Sequence, residues 1–152
     1  MNLCIDQGNS RTKIALFKKD GRIVKNLLYK SFTSADVERL FSLYPITQSI
    51  VSSVANMEPA VINALNRLSK KFVLFDHLTP LPIKNCYQTP ETLGHDRIAA
   101  AVGAAHLCPG QNLLIVDAGS AVTYDFVSAE QGYLGGNIAP GIKMRLTALN
   151  QM

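Results

Sequence analysis

One short pattern occurs twice in this chain, 111 positions apart, and it limits the possible folds more than any other feature. Leu3-Cys4-Ile5-Asp6-Gln7-Gly8 falls on Leu114-Ile115-Val116-Asp117-Ala118-Gly119. The match continues past the strand: Asn9 falls on Ser120, Thr12 on Thr123, Leu16 on Val127 and Gly21 on Gly132. Any two apolar strands look alike, but an Asp, a Gly, a Thr and a hairpin Gly recurring in the same order do not arise from strand composition. Self-similarity at so long a period is a fold-level signal, here of two related domains and not of a solenoid.

The residues between the copies alternate in character. Leu3–Ile5, Thr12–Phe17 and Arg22–Tyr29 read as an antiparallel three-strand start, with Lys19-Asp20-Gly21 as a hairpin turn. Thr33-Ser34-Ala35-Asp36 opens a helix whose apolar positions are Val37, Leu40, Phe41 and Tyr44, and Pro45 ends it. A strand over 49–55, a helix over 58–70 and a strand over 72–75 follow. Helix and strand alternating after a meander predict a mixed α/β sheet. Residues 76–93 hold Pro80, Pro82 and Pro90 and read as a long functional connection. An alanine-rich helix over 98–107 is stopped by Pro109-Gly110, and strands resume at Leu113. The repeat divides the chain into a first domain, 1–110, and the start of a second, 111–152, with a last helix over 142–149.

Composition adds bounds. The chain of 152 residues is 47% apolar with a net charge of +4, and its basic residues are scattered, which suits anionic small molecules better than a nucleic acid. The densest basic run, Lys18-Lys19 with Arg22 and Lys25, reads as a solvated hairpin end. Cys4, Cys86 and Cys108 share no metal-type spacing and fit reduced thiols in a cytoplasmic protein. No stretch approaches the ~20 apolar residues of a membrane span, and the start reads as a strand, not a signal peptide.

The duplicated element has a direct chemical use. Gly8 and Gly119 leave the backbone bare and can adopt positive φ, so that turn N–H groups reach phosphate oxygens. Asn9, Ser10, Ser120 and Thr123 add side-chain donors. Asp6 and Asp117, at strand ends, can hold a cation beside those phosphates. Lys13 carries a positive charge whose direction the strand alternation leaves open. Two such turns facing each other would form a clamp, and the chain has neither a P-loop nor a protein-kinase His-Arg-Asp set. Asp96, at a helix start, can take the proton of an acceptor hydroxyl, and Arg97 can bind a substrate carboxylate through two parallel hydrogen bonds. Alone, Asp96 would read as a helix cap and Arg97 as a surface ion-pair partner. The neighbouring motifs turn the reading.

Duplicated α/β mixed-sheet domains with two phosphate turns resemble the actin-like (ribonuclease H-like) superfamily that includes the sugar kinases. Within it the sequence closely resembles the type III pantothenate kinases. The matching motifs are Asp6-Gln7-Gly8-Asn9-Ser10-Arg11-Thr12-Lys13, Gly94-His95-Asp96-Arg97, Asp117-Ala118-Gly119-Ser120-Ala121-Val122-Thr123-Tyr124-Asp125 and Gly135-Gly136-Asn137-Ile138-Ala139-Pro140-Gly141. The resemblance implies ATP-dependent phosphorylation of pantothenate to 4'-phosphopantothenate, the first step of coenzyme A synthesis. It also implies Mg2+, a monovalent cation such as K+ or ammonium, and a homodimer. By position, residues 6–13 would grip ATP, with Ser120 as a second contact where the family usually has Thr. Asp96 would be the general base. Tyr87 and Gly94 to Arg97 would contact pantothenate, with His95 as a spacer in its motif. Asp117 would match the monovalent-cation ligand, and Asp6 would meet Mg2+.

The family's proteins are longer than this chain, so the second domain is expected to be incomplete, with apolar faces and strand edges left open. That shortfall keeps a second reading in play, a member that binds ligand without turnover or serves as a transcription accessory factor. A third reading, another kinase or ATPase of the superfamily, is opposed by the Gly94–Arg97 motif.

Overall fold

Strand pairing in the first third of the molecule follows the punctuation of the sequence. β1 (Asn2–Gln7), β2 (Thr12–Phe17) and β3 (Ile23–Tyr29) form an antiparallel meander. α1 (Ser34–Leu43) then returns the chain to β4 (Gln48–Ser53), which lies parallel to β1, and α2 (Pro59–Leu68) leads to β5 (Lys71–Leu74), parallel to β4. The sheet order is β3-β2-β1-β4-β5. The computed structural model describes residues 1–8, 11–53 and 57–151; the end of the strand expected over 49–55 lies outside the described residues.

Local sequence explains the helix ends. At α1 the Thr33 backbone N–H donates to the Asp36 carboxylate at 2.9 Å, which satisfies one of the orphan donors of a helix start. At α2, Pro59 occupies the first turn, where its missing N–H costs nothing. One face of the first sheet carries Leu3, Ile5, Ile14, Leu16 and Val51, and these pack with Val37 and Leu40 of α1 and Val61 and Leu65 of α2 into a single apolar core.

The chain separates into two compact units, Met1–Leu78 and Thr79–Met152. The boundary expected from the repeat, after residue 110, follows ancestry; compactness draws it earlier because α3 (His95–Leu107) packs on the strands that follow it. Those strands are β6 (Leu113–Ala118), β7 (Ala121–Ser128) and β8 (Gly132–Pro140), an antiparallel sheet in that order, followed by α4 (Ile142–Asn150). The succession β6-β7-β8-α4 repeats β1-β2-β3-α1, so the duplication seen in the residues is also a duplication of topology. The architecture is α/β, with a five-stranded mixed sheet and a smaller, incomplete second sheet.

The copies differ in one turn. Asp6 pairs with Lys13 across the first hairpin, whereas Asp117 pairs with Thr123. The second turn is therefore one residue shorter, and Lys13, not Thr12, takes the place of Thr123. The hairpin glycines do coincide: Gly21 and Gly132 both have positive φ, +83° and +92°, where a side chain would be strained. Gly8 and Gly119 are not among the positive-φ glycines, so the expectation of a left-handed turn at those two positions is corrected.

Candidate functional site

The first phosphate-turn candidate lies at the end of β1. The Gly8 N–H donates to the Arg11 carbonyl at 3.0 Å, so it closes the hairpin and is not itself a free donor. The second turn does the same, with the Gly119 N–H on the Ala121 carbonyl at 2.8 Å. Any anion contact in these turns would have to come from the neighbouring groups. Asn9 and Ser10 lie outside the described residues. Arg11 is exposed, Gln7 accepts a hydrogen bond from Ser53 Oγ at 2.8 Å, and Thr12 is buried on the core side. Lys13 points to the same side as Asp6, with its Nζ 3.8 Å from the carboxylate. On the other flank of Asp6, across the parallel pairing, stands Ser52. Its hydroxyl is buried and has no hydrogen-bond partner among the described residues. A carboxylate, an ammonium and an orphaned hydroxyl thus form a row across three strands. Such a donor set fits a hydrated Mg2+ held through one carboxylate beside phosphates, which is how that ion is usually bound. Among the described residues there is no cluster of three or more His, Cys, Asp or Glu that would make an all-protein cage.

In the second unit several motifs meet on one face of one sheet. The motif Gly94–Arg97 forms the cap and first turn of α3, which starts three residues earlier than the alanine pattern suggested. α3 packs on β6 and β7. Thr123, the partner of Asp117, and Asp125 share a strand face, so Asp117, Thr123 and Asp125 all lie on one side of the sheet. Asp96 is exposed, and its Oδ1 accepts the Arg97 backbone N–H at 2.9 Å. His95 is half-buried beside it.

Arg97 is placed differently from the surface position expected of a substrate fork. It is 6% exposed, and its Nε and Nη2 donate to Asp125 Oδ1 at 3.0 and 2.6 Å. The Tyr133 hydroxyl donates to the same oxygen at 2.7 Å. The Tyr87 ring closes the arrangement, with the guanidinium carbon 5.8 Å from its centroid, within cation–π range. Burial alone would pull the Arg97 guanidinium down, but the hydrogen bond and charge of Asp125 more than offset it, and Arg97 is held above its ordinary value. Burial, then the Asp125 carboxylate, push the Tyr133 hydroxyl well above the usual range of a phenol. Sequence reasoning quoted Asp125 within its motif and gave it no role, and it passed over Tyr133. The available signal was the two-residue spacing of Asp125 from Thr123, which puts a carboxylate on the face shared with Asp117.

The remaining motif glycines hold this site by closeness. A Cβ on Gly135 would stand 3.0 Å from the Tyr87 ring, and its φ of +106° excludes most side chains. Gly141 lies against the carbonyl groups of Gly119 and Ser120, with no room for a side chain, and its N–H donates to the Ser120 carbonyl at 3.1 Å. The connection before α3 is fastened too: the Tyr133 N–H donates to the Lys84 carbonyl at 2.8 Å, and the Cys86 N–H to the Tyr133 carbonyl at 2.9 Å. Tyr87 is therefore carried to the site along β8.

The family model for type III pantothenate kinase matches residues 2–152. The chain is 44% identical over 150 residues to the type III pantothenate kinase of Phocaeicola vulgatus, covering 99% of this chain and 62% of that protein. It is 43% identical over 152 residues to that of Bacteroides fragilis, with coverage of 99% and 62%. The chain thus spans about three-fifths of the length of these relatives. Among solved structures it is similar to a Bacteroides thetaiotaomicron protein with actin-like ATPase fold and unknown function, at 8% identity and a TM-score of 0.40, covering 99% of this chain and 74% of that one. No helix among the described residues is long and apolar enough to cross a membrane. With the motifs in order along the chain and the family match running from end to end, the chain belongs to the type III pantothenate kinase family.

Proposed function

We propose that the protein phosphorylates pantothenate with ATP to give 4'-phosphopantothenate, the first step of coenzyme A synthesis, as a cytoplasmic homodimer that engages neither nucleic acid nor membrane. The observation that carries this reading is the family match over residues 2–152, joined to the meeting of the Gly94–Arg97 and Asp117–Asp125 motifs on one sheet face. In this reading residues 6–13 and Ser120 contact ATP, while Tyr87 and Gly94 to Arg97 contact pantothenate. Asp96 accepts the proton of the acceptor hydroxyl as the phosphoryl group is transferred. Phosphoryl transfer asks chiefly for positioning and charge neutralisation. Lys13 supplies part of that charge. Mg2+ beside Asp6, and a monovalent cation at Asp117, would neutralise phosphate charge when bound. The solvent-facing carboxylate of Asp96 suits the base role, since a base must be within reach of the proton it takes.

The test is formation of 4'-phosphopantothenate from pantothenate and MgATP, followed by phosphorus NMR, with Asp96→Asn as control. A loss of about 10²–10⁴-fold is expected from removal of a general base. Normal turnover in Asp96→Asn would sink the role given to Asp96. One observation favours a second reading, ligand binding without turnover: the apolar face of the second sheet, with Leu114, Val116 and Phe126, is open. Calorimetric binding of pantothenate with no product would support it.

A further inference from the structure

We propose that Asp125, backed by Tyr133, is a positioning residue for the acceptor site: it fixes Arg97 and, through Arg97, the first turn of α3 that carries Asp96. The inference rests on the reading of Gly94–Arg97 as the acceptor motif.

Asp125 is fully buried, and one of its oxygens accepts from Arg97 Nε, Arg97 Nη2 and the Tyr133 hydroxyl, at 3.0, 2.6 and 2.7 Å. Its second oxygen stands 3.3 Å from Arg97 Nε. Arg97 is thus tied at two points. Its side chain is bound to β7, and its backbone N–H is bound to the Asp96 carboxylate. A turn of α3 about its axis would break the first contact and carry Asp96 away from its place. The orientation of Asp96 is therefore set, at one remove, by a residue on the neighbouring strand.

Stability does not account for this cluster. A buried ion pair is weak evidence of stabilisation, because the cost of stripping water from two charges rivals their attraction. The other copy of the repeat makes the point within the same chain. Counting from the strand pairing after the turn, where Lys13 stands for Thr123, the place of Asp125 is held by Ala15. The hairpin forms with an alanine there, so its architecture does not call for a buried carboxylate. A substrate role of the usual kind is also closed to the Nε–Nη2 edge of Arg97, which is committed to Asp125. A carboxylate of the acceptor can meet only the outer end of the guanidinium, and the direction of that end is what Asp125, Tyr133 and the Tyr87 ring determine.

Steady-state kinetics on the complete protein test the proposal, with Tyr133→Phe and Asp125→Asn as variants. Tyr133→Phe keeps shape and removes one hydrogen bond, so it serves where Asp125→Asn fails to fold. The expected result is a fall in kcat/KM for pantothenate of about threefold in Tyr133→Phe and tenfold or more in Asp125→Asn, with KM for ATP unchanged within about twofold, the separation that a positioning effect on one substrate produces. A rise in KM for ATP as large as the loss on pantothenate would mark a merely structural cluster and overturn the proposal. So would unchanged kcat/KM for pantothenate in a folded variant. A parent protein inactive on pantothenate would remove the proposed function and this inference together, whereas an active parent with unaffected variants would remove the inference alone.

Discussion

Leu3 and Leu114 occupy the same place in the repeat, yet the first is 0% exposed and the second 67%. Ile5 and Val116 repeat the contrast at 2% and 54%. In the first unit α1 and α2 lie over this face, and β1 is paired on both sides, by β2 and β4. In the second unit no helix among the described residues lies over the corresponding face. α4 follows β8 as α1 follows β3, but none of its residues is buried, and β6 is an edge strand. The second sheet buries its other face against α3 through Val127, Tyr133, Ile98 and Ala101, around the Arg97–Asp125 pair. One strand pattern thus serves two cores, because alternation decides which residues share a face and the neighbours decide which face is covered.

Five substitutions break or sharpen this contrast. The largest loss is expected from Arg97→Ala, which leaves Asp125 buried without its charge partner, at about 3–5 kcal/mol. Hydrogen exchange should show it in the amides of β6 to β8 and not in β1 to β4; equal loss in both sheets would contradict two separate cores. Next, Leu3→Ala should cost about 2–5 kcal/mol in urea unfolding, as core truncations do, while Leu114→Ala should stay within about 0.5 kcal/mol, as exposed sites do. Comparable costs at the two sites would show that the face of the second sheet is covered in solution.

Tyr133→Phe probes a smaller, pH-dependent term. The folded state holds this hydroxyl above its ordinary value, so its contribution is complete below about pH 10 and is lost as pH rises past the unfolded value. Between the two values the parent should lose about 1.4 kcal/mol per pH unit more than Tyr133→Phe does. Identical alkaline profiles would remove the buried phenol from the account. A small change in stability is also expected from Gly94→Ala. A methyl group there would stand 2.6 Å from Asp96 Oδ1, and the backbone at Gly94 is unstrained, with φ of −57°. The clash is with the end of a rotatable side chain, which can give way, so stability should shift by less than about 1 kcal/mol, while phosphorylation of pantothenate falls about tenfold or more through the misplaced group. Full activity would show that the place of Asp96 is not set by the Gly94 cap.

Much of the fold was legible because it is written in local chemistry. Pro45 closes α1, Pro59 opens α2, Gly21 and Gly132 turn the hairpins, and all of them act within a few residues of themselves. The start of α3 was harder: Gly94, His95 and Asp96 carry no apolar spacing, and the helix begins there because it packs on β6 and β7. The site was legible as motifs and not as geometry. Which way Lys13 points depends on its pairing with Asp6, and that pairing depends on the length of a turn. The one-residue difference between the two turns could not be seen by sliding the sequence, since Thr12 aligns with Thr123 there.

The sequence by itself determined that the chain repeats a strand–turn–strand unit, where its strands and helices fall, and which family it belongs to, because propensity, turn chemistry and motif spacing are properties of short stretches. Only the tertiary structure decided that Leu114 faces solvent where Leu3 is buried, and that Arg97 spends its fork on Asp125. Burial and charge pairing are settled by groups distant along the chain, 28 residues apart in the case of Arg97 and Asp125, and no local pattern records which of them meet.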